Sequence, residues 1–351
     1  MNRIILIGNG FDLAHGLKTS YKNFIDDLWE REKINILNSN DFDKIKHTLR
    51  YEDDILKIDT NIQKSYLEHT MKDVNYFGYK WFMHNHGTTK ILIKNNFLKS
   101  ISEQSYLENW VDIEEEYYKV LTNNYRSIDN IIELHKDFKV IQELLITYLQ
   151  KEVLNQPKTP KDIETHILGT PFKDDFINPL KSDEEIQGIL FLNFNYTQTV
   201  RFYNDGLTIP HELIDIHGEL GNLDNPIIFG YGNERDEKYE LLEKQNDDRL
   251  LSYIKSIRYS MTSNYKRMIR YLNSDEYQVY IFGHSCGLSD GTLLNRLFEH
   301  TNCKSIRIFY YSKPDGTDTY NETFINISRN FRNKDLMREI VVSKDNSFAY
   351  C

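Results

Sequence analysis

The sequence predicts an α/β protein with a mainly parallel sheet and a large helical insertion after the first strand. Three observations predict it. The chain opens on an apolar, β-branched-rich run, Ile4-Ile5-Leu6-Ile7, closed by the glycine turn Gly8-Asn9-Gly10. A long region of helical spacing follows, and strand–helix alternation returns only near Ile186. From there short apolar runs alternate with helix-like stretches to about Tyr311.

Each element has a local reason. Ile4–Ile7 reads as a buried strand, and the glycines that end it permit positive φ and close backbone approach. Tyr21–Lys33 places Phe24, Ile25 and Leu28 on one helical face. Ile113–Leu121 and Ser127–Leu154 repeat that spacing, and Pro157 and Pro160 end the second of them. Gly188–Leu192, Glu212–Ile216 and Pro226–Phe229 read as strands, and Arg235–Leu272 as two helices. Glu276–Phe282 is the next strand, Thr292–His300 a helix and Ser305–Tyr311 a strand. The segment Lys334–Cys351 is assigned no element. The expected division is a core of residues 1–20 plus 185–351 and a predominantly helical insertion, 21–184, packed on it.

Composition narrows the function classes. Of 351 residues, 40% are hydrophobic and 27% charged, which suits a globular chain. The net charge of −10 argues against a nonspecific nucleic-acid binder. Cys286, Cys303 and Cys351 are too few for a disulfide framework or a zinc site. His84-Asn85-His86 has no carboxylate cluster beside it, so no metal is expected. The first apolar run ends at Ile7 and no run is long enough to span a bilayer, so a cytoplasmic, reduced protein is expected.

Chemistry-bearing residues gather at the strand ends. Asn193-Phe194-Asn195-Tyr196-Thr197 follows one strand, and Asn195 can orient a water or a ribose hydroxyl or cap a helix over Thr197–Tyr203. Ile214-Asp215-Ile216-His217-Gly218 puts a histidine, a base near neutral pH, at another end. Gly283-His284-Ser285-Cys286-Gly287 matches a Gly-x-Ser-x-Gly elbow. Only His300 follows Ser285, on the very next helix, so the hydrolase triad cannot be completed in its usual order. Ser285 therefore reads as part of a second glycine loop suited to a phosphate or ribose. In a parallel sheet the ends after Ile7, Leu192, Ile216 and Phe282 share one edge, which makes them a single candidate site. Asp112 to Glu116 reads first as an acidic helix N-terminus, and second as a segment in which Asp112 or Glu115 folds over that site.

The set LIGNGFDLAHGL, WVDIEEEYY, NFNYTQT, IHGEL and FGHSCGLSD, spanning residues 6 to 290, resembles the AbiH family of bacterial phage abortive-infection proteins. More distantly it is similar to the sirtuin-like, Rossmann-like NAD-binding fold of antiphage NAD-hydrolysing effectors. There Gly8-Asn9-Gly10 matches the opening Gly-Ala-Gly turn and His15-Gly16 the Ser-Gly after it. Asn195, His217-Gly218 and Gly283-His284-Ser285 match the later motifs. Asp12 stands where that pattern has a serine, Thr197 stands where an Asp is frequent, and the Pro-Asp-Phe-Arg and four-cysteine zinc module are absent.

The resemblance implies an antiphage effector that hydrolyses NAD at the nicotinamide–ribose bond, without a metal. It implies Asn195 and His217 as catalytic residues. Gly8, Asn9, Gly10, Phe11, Asp12, Gly283, Ser285 and Asp290 would bind NAD. Asp12 would stabilise the sugar cation or cap the next turn. A phage-encoded trigger or homo-oligomer formation would control activity, and neither membrane nor nucleic acid is an expected partner. The alternative is a non-catalytic sensor of a NAD-derived nucleotide that acts through a partner protein. A third reading, action on nucleic acid or translation factors, has the acidic charge against it.

Overall fold

The computed structural model describes residues 1–39, 42–43, 48–60, 89–108, 112–156, 159, 163–177, 185–204 and 207–350. His84, His86, Trp110, Pro157, Pro160 and Cys351 lie outside them. Two compact units are present, Met1–Thr19 with Leu149–Cys351, and Ser20–Tyr148.

The first unit begins with strand β1 (Asn2–Ile7), buried along its whole length, and the short helix α1 (Asn9–Ala14). Unbroken burial explains why Ile4–Ile7 form an uninterrupted apolar run and not an alternating one.

The second unit opens with helix α2 (Tyr21–Asn38). Ser20 accepts from the Asn23 amide, and Asn23 accepts in return from the Ser20 backbone, so two orphan donors are satisfied. An antiparallel sheet follows, in the order β2 (Phe42–Asp43), β3 (Thr48–Glu52), β4 (Leu56–Thr60) and β5 (Thr89–Ile93). Helices α3 (Asn96–Glu108), α4 (Ile113–Asn124) and α5 (Ile128–Asn155) follow among the described residues, α5 running on past Tyr148. Tyr117 stacks on Phe138 with ring centroids 4.1 Å apart, and Trp29 donates its indole N–H to Ser102. Asp112 is the N-cap of α4, accepting from the Glu114 and Glu115 amides, as the first of its two readings expects.

The chain returns to the first unit through α6 (Glu164–Leu168), a 3₁₀ turn at Lys173–Asp175 and strand β6 (Gly188–Asn193). After these come α7 (Arg201–Asn204), β7 (His211–Asp215), α8 (Glu237–Glu243), α9 (Lys255–Arg258) and α10 (Asn264–Ser274). The last are β8 (Tyr277–Phe282), α11 (Gly291–Phe298), β9 (Cys303–Tyr310), α12 (Tyr320–Asn330), α13 (Lys334–Ile340) and β10 (Phe348–Ala349).

The six strands pair in the order β10-β9-β8-β1-β6-β7, every pair parallel. Counted along the chain from the β7 edge, this is the order 3-2-1-4-5-6 of a Rossmann-type sheet, and its direction reverses between β1 and β8. Period-two alternation splits β1 between two cores. Ile4 and Leu6 join one with Leu192, Ile281 and Leu297, while Ile5 and Ile7 join the other with Phe191, Tyr280 and Phe282.

Charges are also built into this sheet. The buried Arg3 guanidinium donates to Gln278 Oε1 and to the His166 and Ile167 carbonyls, over the Tyr280 ring. Buried Arg307 on β9 forms an ion pair with buried Asp175. Burial pushes the Asp175 carboxyl up, opposed by its hydrogen bond and charge pairing with Arg307.

Two expectations differ from the structure, and one segment left without an element is folded. Pro226–Phe229 is not a strand: Ile228 donates once to the His217 carbonyl and Pro226 has no N–H to donate, although Ile228 and Phe229 are buried. Arg235–Leu272 is broken into α8, α9 and α10 with 3₁₀ turns between them. The tail from Lys334 folds, with α13 and the edge strand β10. Among the described residues no helix is long and apolar enough to cross a membrane.

Candidate functional site

The carboxyl ends of β1, β6, β7 and β8 lie along one edge, where open parallel sheets of this order bind their ligands. At the switch point the loops after β1 and β8 interlock. Gly8 N–H donates to Phe282 O at 3.1 Å, Gly10 N–H to Gly283 O at 2.8 Å and Phe11 N–H to Gly8 O at 2.9 Å. A Cβ on Gly8 would stand 2.4 Å from His284 Cα. One on Gly283, whose φ is +67°, would stand 2.0 Å from the Phe11 nitrogen. The opening Gly-x-Gly is therefore first of all a backbone crossing too tight for side chains. Phe11 is buried against His15 and Tyr203, whereas Asn9 is exposed and accepts from the Thr19 hydroxyl.

Asn195 reaches across this crossing, donating its Nδ2 to Gly8 O at 3.0 Å, and its own amide donates to Asn193 Oδ1. Asn193 Nδ2 in turn donates to Asp215 Oδ1 at 2.7 Å. Thr197 donates to Asp12 Oδ2. The helix expected over Thr197–Tyr203 starts only at Arg201, and one Nδ2 hydrogen of Asn195 joins the loop after β6 to the loop after β1.

A second cluster centres on Asp290, from the 3₁₀ turn before α11. His217 Nε2 lies 3.0 Å from Asp290 Oδ1 and 3.1 Å from the Tyr259 hydroxyl. Lys255 Nζ lies 2.9 Å from the same Asp290 oxygen, and His284 Nε2 lies 3.7 Å from Oδ2. The Phe194 ring stands edge-on to both imidazoles, with centroids 5.1 Å from His217 and 4.2 Å from His284. His217 is 5% exposed, Asp290 7% and Lys255 0%. Cys286 takes φ +54°, unusual for a residue with a side chain, and its amide donates to His284 Nδ1 at 2.9 Å. That bond assigns the His284 proton to Nε2, on the side of Asp290.

Burial acts on each of these groups. It pushes the Asp290 carboxyl up, but the Lys255 ammonium and the hydrogen bond from His217 outweigh it and hold the group well below the usual carboxylate range. It pushes His217 down, with the Lys255 ammonium adding to the effect and Asp290 opposing it. It pushes His284 down to about 4, and it raises the Cys286 thiol. The cluster is thus an ionised Lys255–Asp290 pair flanked by two neutral imidazoles. With Asp290 an anion, the proton of a neutral His217 is assigned to Nε2.

Gly8, Asp12, Asn195 and Gly283 meet at the switch point, and His217 meets Asp290, with Phe194 next to Asn195 linking the two groups. Ser285 is exposed, and its carbonyl accepts from Asn326. His300 pairs with Asn273. Lys255, Tyr259 and His284 are the members that sequence reasoning did not single out. His284 sat within a quoted motif, but Lys255 lies among other basic residues on a four-residue helix and gives no local signal. Among the described residues no group of three or more His, Cys, Asp or Glu could hold a metal ion.

No curated protein matches the sequence. The family model described as bacteriophage abortive infection AbiH matches residues 4–312, a span that takes in all four strand ends and both clusters. The chain therefore belongs to the AbiH family of bacteriophage abortive-infection proteins.

Proposed function

We propose that this AbiH protein acts in phage abortive infection by hydrolysing NAD at its nicotinamide–ribose bond. The observation that carries the reading is the convergence, at the switch point of a sheet of Rossmann order, of Asn195 on Gly8 and of His217 on Asp290. A second one supports it. The two departures from the sirtuin-like pattern, Asp12 and Thr197, are bonded to each other, so the acid and the hydroxyl keep company with their positions exchanged.

The scissile bond breaks with nicotinamide taking the electron pair and leaving as a neutral ring. The leaving group needs no strong acid, so the work is orientation, charge stabilisation and activation of a water. Asn195 orients the ribose and the water. His217, through Nδ1, takes a proton from the water or a ribose hydroxyl, and Asp290 holds the ring and stabilises the imidazolium that results. Gly8, Asn9, Gly10, Gly283 and Ser285 line the dinucleotide path in this reading. The Gly8, Gly10 and Phe11 amides already donate within the chain, so Asn9 and Ser285, both exposed, are the polar groups left to face phosphate or ribose. A cytoplasmic enzyme of this kind must stay silent until a phage-encoded trigger or self-assembly turns it on.

One observation favours a second reading, a nucleotide sensor. The His217 ring is nearly closed to solvent and faces Asp290, Tyr259 and the Phe194 carbonyl. The deciding experiment measures nicotinamide release from NAD by the purified protein, and NAD content in phage-infected cells, for wild type, His217→Ala and Asn195→Ala. Release in wild type alone supports the hydrolase. Intact NAD in growth-arrested infected cells, with NAD binding retained in vitro, replaces it with the sensor.

A further inference from the structure

We propose that Lys255 is a positioning residue of this site, binding the Asp290 oxygen that His217 also contacts and so fixing which nitrogen of His217 carries the proton. The inference rests on the proposed role of His217 but is read independently of turnover.

The backbone shows how Lys255 is held. Its amide donates to Tyr231 O at 2.9 Å, and the next residue of that segment, Gly232, donates to Ser289 O at 2.8 Å. Thr292 N–H then donates back to Gly232 O. The strip Tyr231-Gly232 therefore ties the origin of Lys255 to the turn that carries Asp290. A Cβ on Gly232 would meet Lys255 Cβ at 3.0 Å and Ser289 O at 3.0 Å, so the strip is as close as backbone allows.

A wholly buried ammonium is a poor means of stabilising a fold, because an apolar residue of similar volume in place of an ion pair is often neutral or better. What the ammonium supplies and a methionine does not is a fixed positive charge beside Asp290 and His217. That charge keeps Asp290 an acceptor. An ionised acceptor beside His217 Nε2 requires a proton on Nε2, and a neutral ring then carries its basic lone pair on Nδ1. Tyr259 contacts the same nitrogen, and His284 approaches the other Asp290 oxygen from the far side. The charges that act on His217 are those of Lys255 and Asp290, which meet at one carboxylate oxygen 3.0 Å from Nε2.

The test uses the full chain with ¹⁵N-labelled histidine. Long-range ¹H–¹⁵N spectra assign the His217 tautomer and its titration in wild type, Lys255→Met, Lys255→Gln and Lys255→Arg. Wild type is expected to show a neutral ring protonated on Nε2. Lys255→Met and Lys255→Gln are expected to lose that single tautomer and to titrate at higher pH, and Lys255→Arg to restore the wild-type pattern. Where NAD is turned over, Lys255→Met is expected to lower kcat on the order of tenfold with KM little changed. A His217 tautomer and titration identical to wild type in whichever of the Met and Gln variants folds overturns the proposal. Intact NAD in growth-arrested infected cells overturns the hydrolase reading and leaves the tautomer result standing.

Discussion

Thr197 donates its hydroxyl to Asp12 Oδ2 at 2.6 Å, across two strand ends separated by 185 residues of chain. Asp12 is 1% exposed, so this bond joins the first loop to the β6 loop inside the fold. Thr197→Val is expected to cost about 1–3 kcal/mol, the penalty for taking a donor from a buried carboxylate. Thr197→Asp alone sets two acids together, and the exchange Asp12→Ser with Thr197→Asp should recover at least about 1 kcal/mol of that loss. Urea unfolding of wild type, Asp12→Ser, Thr197→Asp and the double variant measures the coupling, and additive costs would show that the pair is not an exchange.

Gly283→Ala should be among the most damaging single changes in the sheet edge. The backbone is at φ +67° and the new methyl carbon would lie 2.0 Å from the Phe11 nitrogen. Strain and displacement together are expected to cost about 3 kcal/mol or more. Thermal unfolding reports this directly, and a loss within about 0.5 kcal/mol would mean that the two loops do not interlock as described.

Arg307→Met leaves the Asp175 carboxyl buried without its ion-pair partner. The expected loss is about 3–5 kcal/mol, whereas Arg307→Met with Asp175→Leu should lie near wild type, because an apolar pair avoids the desolvation cost. Equal losses in the single and double variants would contradict this.

In the second unit, burial and then the neighbouring Asp53 push Glu32 up to about 8, and Glu32 is 5% exposed. The folded chain keeps a proton that the unfolded chain releases near the ordinary value of 4.5. The contribution to stability is therefore complete below that value and is lost as pH rises through about 8. Glu32→Gln has no proton to lose. Its stability relative to wild type should rise by on the order of a few kcal/mol between about pH 5 and about pH 9. Parallel stability–pH curves for the two proteins would remove Glu32 as the cause.

Much of the architecture was legible because it is encoded locally. The all-apolar runs of β1, β6 and β8 belong to strands buried on both faces, and the long helical spacing of α2 and α5 needs no partner to be recognised. The antiparallel strands β3 and β4 were not read. Each is five residues long and alternates one buried apolar side chain with one exposed charge, Leu49-Arg50-Tyr51-Glu52 and Leu56-Lys57-Ile58-Asp59, a pattern too short to stand out from a polar loop. Pro226–Phe229 errs the other way, since its apolar residues are buried by a loop.

For the candidate site, sequence alone marked the strand ends that gather polar residues, because strand-to-loop transitions mark themselves with glycine and carboxamide residues. It also determined family membership, through the ordered set of motifs from residue 6 to 290, within the matched span 4–312. Only the tertiary structure decided who meets whom. The pairing of Asp12 with Thr197, of Asn195 with Gly8 and of Lys255 and His217 with one oxygen of Asp290 depends on the strand order, which brings β1 between β6 and β8. Local periodicity reports the face a side chain occupies, while contacts between distant residues are set by how the strands are ordered and how tightly their loops cross, and neither leaves a mark in the neighbouring sequence.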